Sequence, residues 1–157
     1  MTYSLVAENP ESTVVAEYTS LYRREMTFQS EAELEKAFIE LLQTQAYEYL
    51  PITKEKELID NLRKQLELLN SYQFEDAEWE QFFTSKIANQ NNGIEEKTNM
   101  IQEDHIQLLT RNDGTTKNIY LIDKTNIHNN RLQVINQYTV DNGQRPNRYD
   151  VTILVNG

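Results

Sequence analysis

Arg148-Tyr149-Asp150-Val151-Thr152-Ile153-Leu154-Val155-Asn156-Gly157 closes the chain, and its pattern decides how the rest is read. Val151 to Val155 is a β-branched and aliphatic run. Asn-Gly after such a run is the strongest short-range hairpin signal, because both central residues of a type I′ turn need φ > 0 and these two tolerate it. The stretch predicts a strand entering a hairpin turn whose second strand lies past Gly157. Residues 1–157 are therefore expected to form the N-terminal part of a single domain, a piece of a longer protein. Asp150 is conspicuous, since Asp is depleted from strands and a carboxylate is costly to bury unpaired. On the residues alone two readings stay open: Asp150 enters the strand facing water or bridging Arg148 or Arg145, or it works with groups that the next strand carries.

Working backward, the period of 2 extends to His105. Ile106 to Thr110 and Asn118 to Ile122 flank Asn112-Asp113-Gly114 as a hairpin, and Arg131 to Tyr138 is a further strand, with Tyr149 to Val155 the last. Before His105 the period is 3.6. Ser30-Glu31-Ala32-Glu33 is a capping-box pattern. It opens a helix with Leu34, Ala37, Phe38, Leu41 and Leu42 at the spacing of one buried stripe. Pro51 ends that region. A second helix over residues 54–69 carries Leu58, Ile59, Leu62, Leu66 and Leu69, and a third begins near Phe74 with acids in its first turn and Trp79, Phe82 and Phe83 as its apolar side. Aromatics at helical spacing predict core. Residues 88–93 form a polar loop before a short helix near residues 94–101. A short strand over residues 12–19 follows the Asn9-Pro10 breaker. Helices first and strands afterwards predict a mixed α/β (α+β) fold, with the N-terminal helices packed on a mixed sheet whose final hairpin strand is absent.

The chain has no cysteine and two histidines, which excludes disulfides and thiolate metal sites, so that any metal would take oxygen ligands. His105 and His128 have no partner at catalytic spacing and are expected to be structural or solvent-facing. No run is long and apolar enough for a membrane span, and a cytoplasmic location is the default expectation. The net charge is −10. Residues 1–104 hold 21 acids and 9 bases, whereas residues 105–157 hold 4 acids and 6 bases. Only the part around Asp150 is electrostatically tolerant of DNA, because neutralisation of phosphates supplies most nonspecific affinity.

Asn147 to Gly157 resembles, nearly letter for letter, the segment before the nuclease signature in the restriction (R, HsdR) subunits of type I restriction-modification enzymes. The helix opening Ser30-Glu31-Ala32-Glu33-Leu34-Glu35, the run Phe74-Glu75-Asp76-Ala77-Glu78-Trp79-Glu80-Gln81-Phe82 and Asn118-Ile119-Tyr120-Leu121-Ile122-Asp123-Lys124 resemble that family's N-terminal region in the same order. The resemblance implies a partial restriction-endonuclease-like fold of the PD-(D/E)xK class. In that class an Asp at a strand end and a Glu-x-Lys on the next strand hold Mg²⁺ through oxygen ligands. It makes Asp150 the first carboxylate and metal ligand, with Glu-x-Lys past Gly157. It also implies a carboxylate from the first helix, for which Glu35 fits ahead of Glu31: Glu35, Leu41-Leu42 and Ala46-Tyr47 follow the family's spacing, with Ala46 where Gly is usual. Both acids equally suit a helix dipole. The implied parent cleaves double-stranded DNA, is driven by ATP-dependent motor domains that this chain does not contain, and assembles with methyltransferase and specificity subunits. The chain alone is expected to be inactive. An alternative is an acidic docking module for the methyltransferase core or the motor domains.

Overall fold

The computed structural model describes the backbone of Thr2–Glu8, Val14–Thr19, residues 30–141 and residues 146–157, and side chains within residues 30–140 and 148–157. The chain divides into two compact units, Met1–Leu34 and Glu35–Gly157. In the first, β1 (Thr2–Glu8) pairs antiparallel with β2 (Val14–Thr19), Thr2 opposite Thr19 and Glu8 opposite Val14, with a register shift between Leu5 and Ala7. The strand expected over residues 12–19 is thus β2, and the Asn9-Pro10 breaker lies outside the described residues. This unit ends in the expected capping box: the Glu33 backbone N–H donates to the Ser30 hydroxyl oxygen at 3.3 Å, and the Ser30 N–H donates to the Glu33 carboxylate at 2.9 Å.

The helix that this box opens, α1 (Glu31–Thr44), runs on into the second unit, which continues with β3 (Glu48–Tyr49), α2 (Glu55–Asn70) and α3 (Asp76–Phe82). After a π-helical turn at Phe83–Ile87 come α4 (Ile94–Gln102), the strands β4 (Ile106–Thr110) and β5 (Thr116–Tyr120), a 3-10 turn at Ile127–Asn129, and the long strands β6 (Leu132–Asp141) and β7 (Pro146–Val155). The architecture is α+β. A three-stranded mixed sheet has the order β3-β6-β7, with β3 parallel and β7 antiparallel to β6. The β4-β5 hairpin is a separate two-stranded sheet rather than a continuation of this one. Its second strand begins at Thr116, earlier than Asn118, because Thr110 pairs with Thr116 across a loop that Gly114 enters at φ 80°.

β6 is covered on both faces. Val134 packs with Ile39 and Leu42 of α1 and with Val151 of β7. On the opposite face Gln133 is buried and accepts a hydrogen bond from Asn61 of α2 at 2.9 Å while donating to Glu48 at 2.9 Å. The first helix does pack on the sheet as expected, but of the expected stripe only Leu42 faces inward. Ile39 and Leu42 are buried, whereas Leu34, Ala37, Phe38 and Leu41 are exposed. Glu35, Ile39 and Leu42 share the inward face, and the carboxylate of Glu35 is itself bonded to β6, which fixes the helix in a rotation that hydrophobic spacing alone misjudges.

A second core joins Leu66 of α2, Phe74, Trp79 and Phe82 around α3, and Leu109, Ile119 and Leu121 of the hairpin region, with Ile59 and Leu62 partly buried against it. The aromatics are core, with Phe74 and Trp79 edge-on at 5.3 Å between ring centroids. Glu78 is buried at their margin. It accepts from the Tyr72 hydroxyl at 2.6 Å and from the Asn112 backbone N–H at 3.1 Å, and the Tyr72 hydrogen bond is the largest cause of its lowered pKa.

The turn residues at the end of β7 have the expected backbone, with φ 60° at Asn156 and 105° at Gly157. Their surroundings are less expected. Asn156 is 2% exposed. Its side chain accepts from the Arg131 N–H at 2.8 Å and donates to the Leu121 carbonyl at 3.1 Å and to Asn130 at 2.8 Å, which ties β7 to the ends of two other segments. A Cβ on Gly157 would lie 2.5 Å from Leu62 Cα, so only glycine allows this approach to α2.

Ala46, where the resembled pattern has Gly, sits at φ 68°. The Tyr47 N–H reaches the Leu42 carbonyl at 3.1 Å and the Ala46 N–H reaches Gln43 at 3.2 Å, a Schellman ending for α1 that puts Ala46 in the left-handed region. Ala46→Gly is expected to raise stability by about 1 kcal/mol, the scale of the left-handed penalty on a Cβ, measured by urea unfolding. Glu78 yields a pH expectation. A carboxylate whose folded pKa lies below its usual value of 4.5 stabilises the fold above that pH and loses this contribution as pH falls through the folded value. In Glu78→Gln the unfolding midpoint should fall less steeply below pH 4.5 than in the unaltered chain; identical slopes would show that the carboxylate carries none of the acid sensitivity.

Candidate functional site

Asp150 lies in the middle of β7 and is exposed. Its register is set from both sides: Val151 pairs with Asn136 and Tyr149 with Tyr138, which leaves Gln137 directly opposite Asp150. That one pair is absent from the ladder. Gln137 has φ 56°, inside a strand where extended values are the rule. The pairing resumes with the same offset beyond it, so the kink inserts no extra residue and the strands do not slip. Among the described residues no ion pair joins Arg148 to Asp150; Arg145 lies outside the described residues.

Glu35 reaches this place from α1. Its carboxylate accepts from Asn136 Nδ2 at 2.7 Å on one oxygen and from Gln137 Nε2 at 2.5 Å on the other. Asn136 in turn accepts from the Tyr49 hydroxyl of β3 at 2.8 Å. The helix contributes its acid because Ile39 and Leu42, one and two turns on, are anchored against Val134. Strand alternation sets a limit on convergence. Val151 belongs to the face that α1 covers, so Asp150, with Thr152 and Leu154, belongs to the other face, where Leu154 pairs with the inward-facing Gln133. Glu35 is thus bonded to the residue that stands opposite Asp150 in the register of the β6–β7 pair, and the two acids belong to different faces of it. Glu31 is the exposed first residue of α1 and lies in the first unit. Among the described residues no three His, Cys, Asp or Glu side chains are grouped closely enough to hold a metal ion.

Sequence reasoning missed three residues here. Gln137 carries no sign of its positive φ, since non-glycine left-handed residues inside strands have no distinguishing neighbours. Asn136 and Tyr49 read as ordinary strand residues. Of the histidines, His105 precedes β4 with its ring 6.4 Å from that of Tyr120, and His128 lies in the 3-10 turn. His128 also lines a groove of about 1030 Å³, together with Ala46, Leu68, Ile127, Arg131 and Val155. None of the three candidate carboxylates lines that groove.

The family model described as the N terminus of the type I restriction enzyme R protein matches residues 28–157. The chain is 39% identical over 153 residues to the endonuclease subunit of the type I restriction enzyme EcoprrI of Escherichia coli, covering 97% of this chain and 49% of that protein. It is 32% identical over 137 residues to a type I restriction enzyme endonuclease subunit of Staphylococcus saprophyticus, and 31% identical over 139 residues to one of Staphylococcus aureus, in each case covering 84% of this chain and 14% of the relative. The chain therefore spans about half the length of one curated relative and about a seventh of the other two.

Proposed function

We propose that this chain, which belongs to the family of type I restriction enzyme R protein N-terminal regions, supplies the first carboxylate of a DNA-cleaving site in a larger endonuclease subunit. The observation that carries the reading is Asp150: an exposed acid at the one point of β7 where the ladder is interrupted, within a stretch similar along its length to endonuclease subunits. Its chemistry fits a divalent cation, because an exposed carboxylate is the hard oxygen donor that Mg²⁺ takes. When bound, such an ion supplies charge neutralisation at a scissile phosphate and a nucleophilic water. Within this chain Asp150 would hold it. Both oxygens of Glu35 already accept from amides, and Glu31 has no part in this reading. What β7 does is hold Asp150 in register while its side chain stays open to solvent and to a phosphate backbone.

In this reading the parent acts on double-stranded DNA in the cytoplasm, with ATP-driven motor domains and with methyltransferase and specificity subunits. Residues 1–157 by themselves are expected not to cleave, since one carboxylate without a second ligand or a lysine leaves the developing charge unstabilised. A second reading, a docking module for other subunits, is favoured by Phe38 and Leu41, which stand exposed on α1 within a strongly acidic region. Described helices include none long and apolar enough to cross a membrane.

Asp150→Ala in the full-length subunit, assembled with its partner subunits, separates the two. The nuclease reading expects DNA cleavage to fall by about 10²-fold or more, the scale for loss of one group that stabilises a transition state, with ATPase activity and assembly retained. Retained cleavage would remove Asp150 from the site, and failed assembly would favour docking.

A further inference from the structure

We infer that Glu35 is a positioning residue for Asp150 and not a metal ligand: it clamps Gln137 in a left-handed conformation, and this keeps the β6–β7 ladder open opposite Asp150. The inference rests on the reading of Asp150 as a site carboxylate. Three observations carry it. Each carboxylate oxygen of Glu35 accepts one amide hydrogen bond from β6, from Asn136 Nδ2 at 2.7 Å and from Gln137 Nε2 at 2.5 Å, so the two amides set the orientation of the carboxylate and a cation would have to share an oxygen with one of them. Strand alternation puts Asp150 on the face that α1 does not cover, so that the two acids reach the strand pair from opposite sides and meet only through Gln137. Gln137 itself is a non-glycine residue at φ 56° in the interior of a strand, a conformation that persists only where the surroundings over-determine it.

Those surroundings are polar and specific. Tyr49 of β3 donates to Asn136, Asn136 donates to Glu35, and Glu35 accepts from Gln137, a chain that crosses from one edge of the sheet to the residue facing Asp150. Packing alone would not choose a left-handed glutamine here, because the pairs on either side of it, Asn136 with Val151 and Tyr138 with Tyr149, are regular and share one offset. Without the clamp the segment is free to return to extended conformation and restore the pair between Gln137 and Asp150. The ladder would then close over the strand position that the site uses.

A second-site test distinguishes the clamp from a ligand. In the full-length assembled subunit, Glu35→Ala should lower DNA cleavage about tenfold or more, within the range of couplings between contacting residues, while the Mg²⁺ concentration for half-maximal cleavage stays unchanged. Glycine adopts φ > 0 without a clamp. Adding Gln137→Gly to Glu35→Ala should therefore recover most of the lost rate. No recovery, accompanied by a raised Mg²⁺ requirement in Glu35→Ala, would overturn the inference in favour of direct ligation. Gln137→Val, which leaves Glu35 intact but resists the left-handed region, should lose cleavage as Glu35→Ala does, with ATPase activity retained; full cleavage by Gln137→Val would likewise overturn it. Asp150→Ala measured in parallel keeps the two levels apart, because retained cleavage there defeats the reading of the site itself, whatever the other variants do.

Discussion

β6 is buried from both sides, with Val134 and Ile135 wholly inaccessible, and this makes its pairing with β7 the constraint on which the rest of the second unit depends. A slip of one residue in that pairing would turn Val151 away from α1 and carry Leu154 from the side of Gln133 to the side of Val134. Each such exchange exposes an apolar side chain or leaves a buried polar one unsatisfied. Register is therefore held at several points, and Asp150 inherits its place from them without contributing to the core.

Polar groups do much of the aligning. Gln133 joins β6 to Asn61 of α2 and to Glu48 of β3, and Gln65 extends the network by donating to Asn61 at 3.2 Å. Asn156 closes the end of β7 onto Arg131 and Leu121. An apolar contact tolerates displacement, whereas a buried amide loses a bond and leaves its partner desolvated, at about 1–3 kcal/mol for each group. The hydrophobic cores bring α1, α2 and the sheet together; the amides decide at which rotation and offset. α1 illustrates the division, since its apolar residues could have packed with Phe38 and Leu41 inward, yet the bonds of Glu35 to Asn136 and Gln137 accompany a face built on Ile39 and Leu42.

This division also explains what could be read from the chain. The capping box at Ser30, the helical stripe through Leu66, the aromatic core at Trp79 and Phe82 and the final strand were legible because each is a local pattern with a fixed period. The hairpin around Gly114 was legible in kind and displaced at its second strand, since the loop length depends on which threonines meet. The inward face of α1 was misjudged because a polar side chain takes part in it. β3 is two residues long and exists only through its partner β6, so no periodicity could announce it. At the candidate site Asp150 and Glu35 are the candidates that the family's motif spacing offers, and Gln137 is not among them, because its conformation is imposed by residues distant in sequence.

Among the non-glycine residues at positive φ, Ala46 and Gln137 differ in kind. Ala46 is left-handed because the end of α1 demands it; the backbone bonds there would be made as well by glycine, and no side-chain bond is needed to hold it. Its strain is incidental to the site. Gln137 is left-handed in a strand whose neighbouring pairs would accommodate an extended residue, and the bond that holds it runs through its own side chain to a carboxylate on another element. A penalty of about 1–3 kcal/mol for such a residue is comparable to what the one charge-assisted hydrogen bond of its side chain contributes, about 1.5–3 kcal/mol, so the kink and the clamp are balanced closely enough for one residue to decide between them. The acid on α1 consequently affects the acid on β7 without touching it, through the conformation of the single residue that separates them.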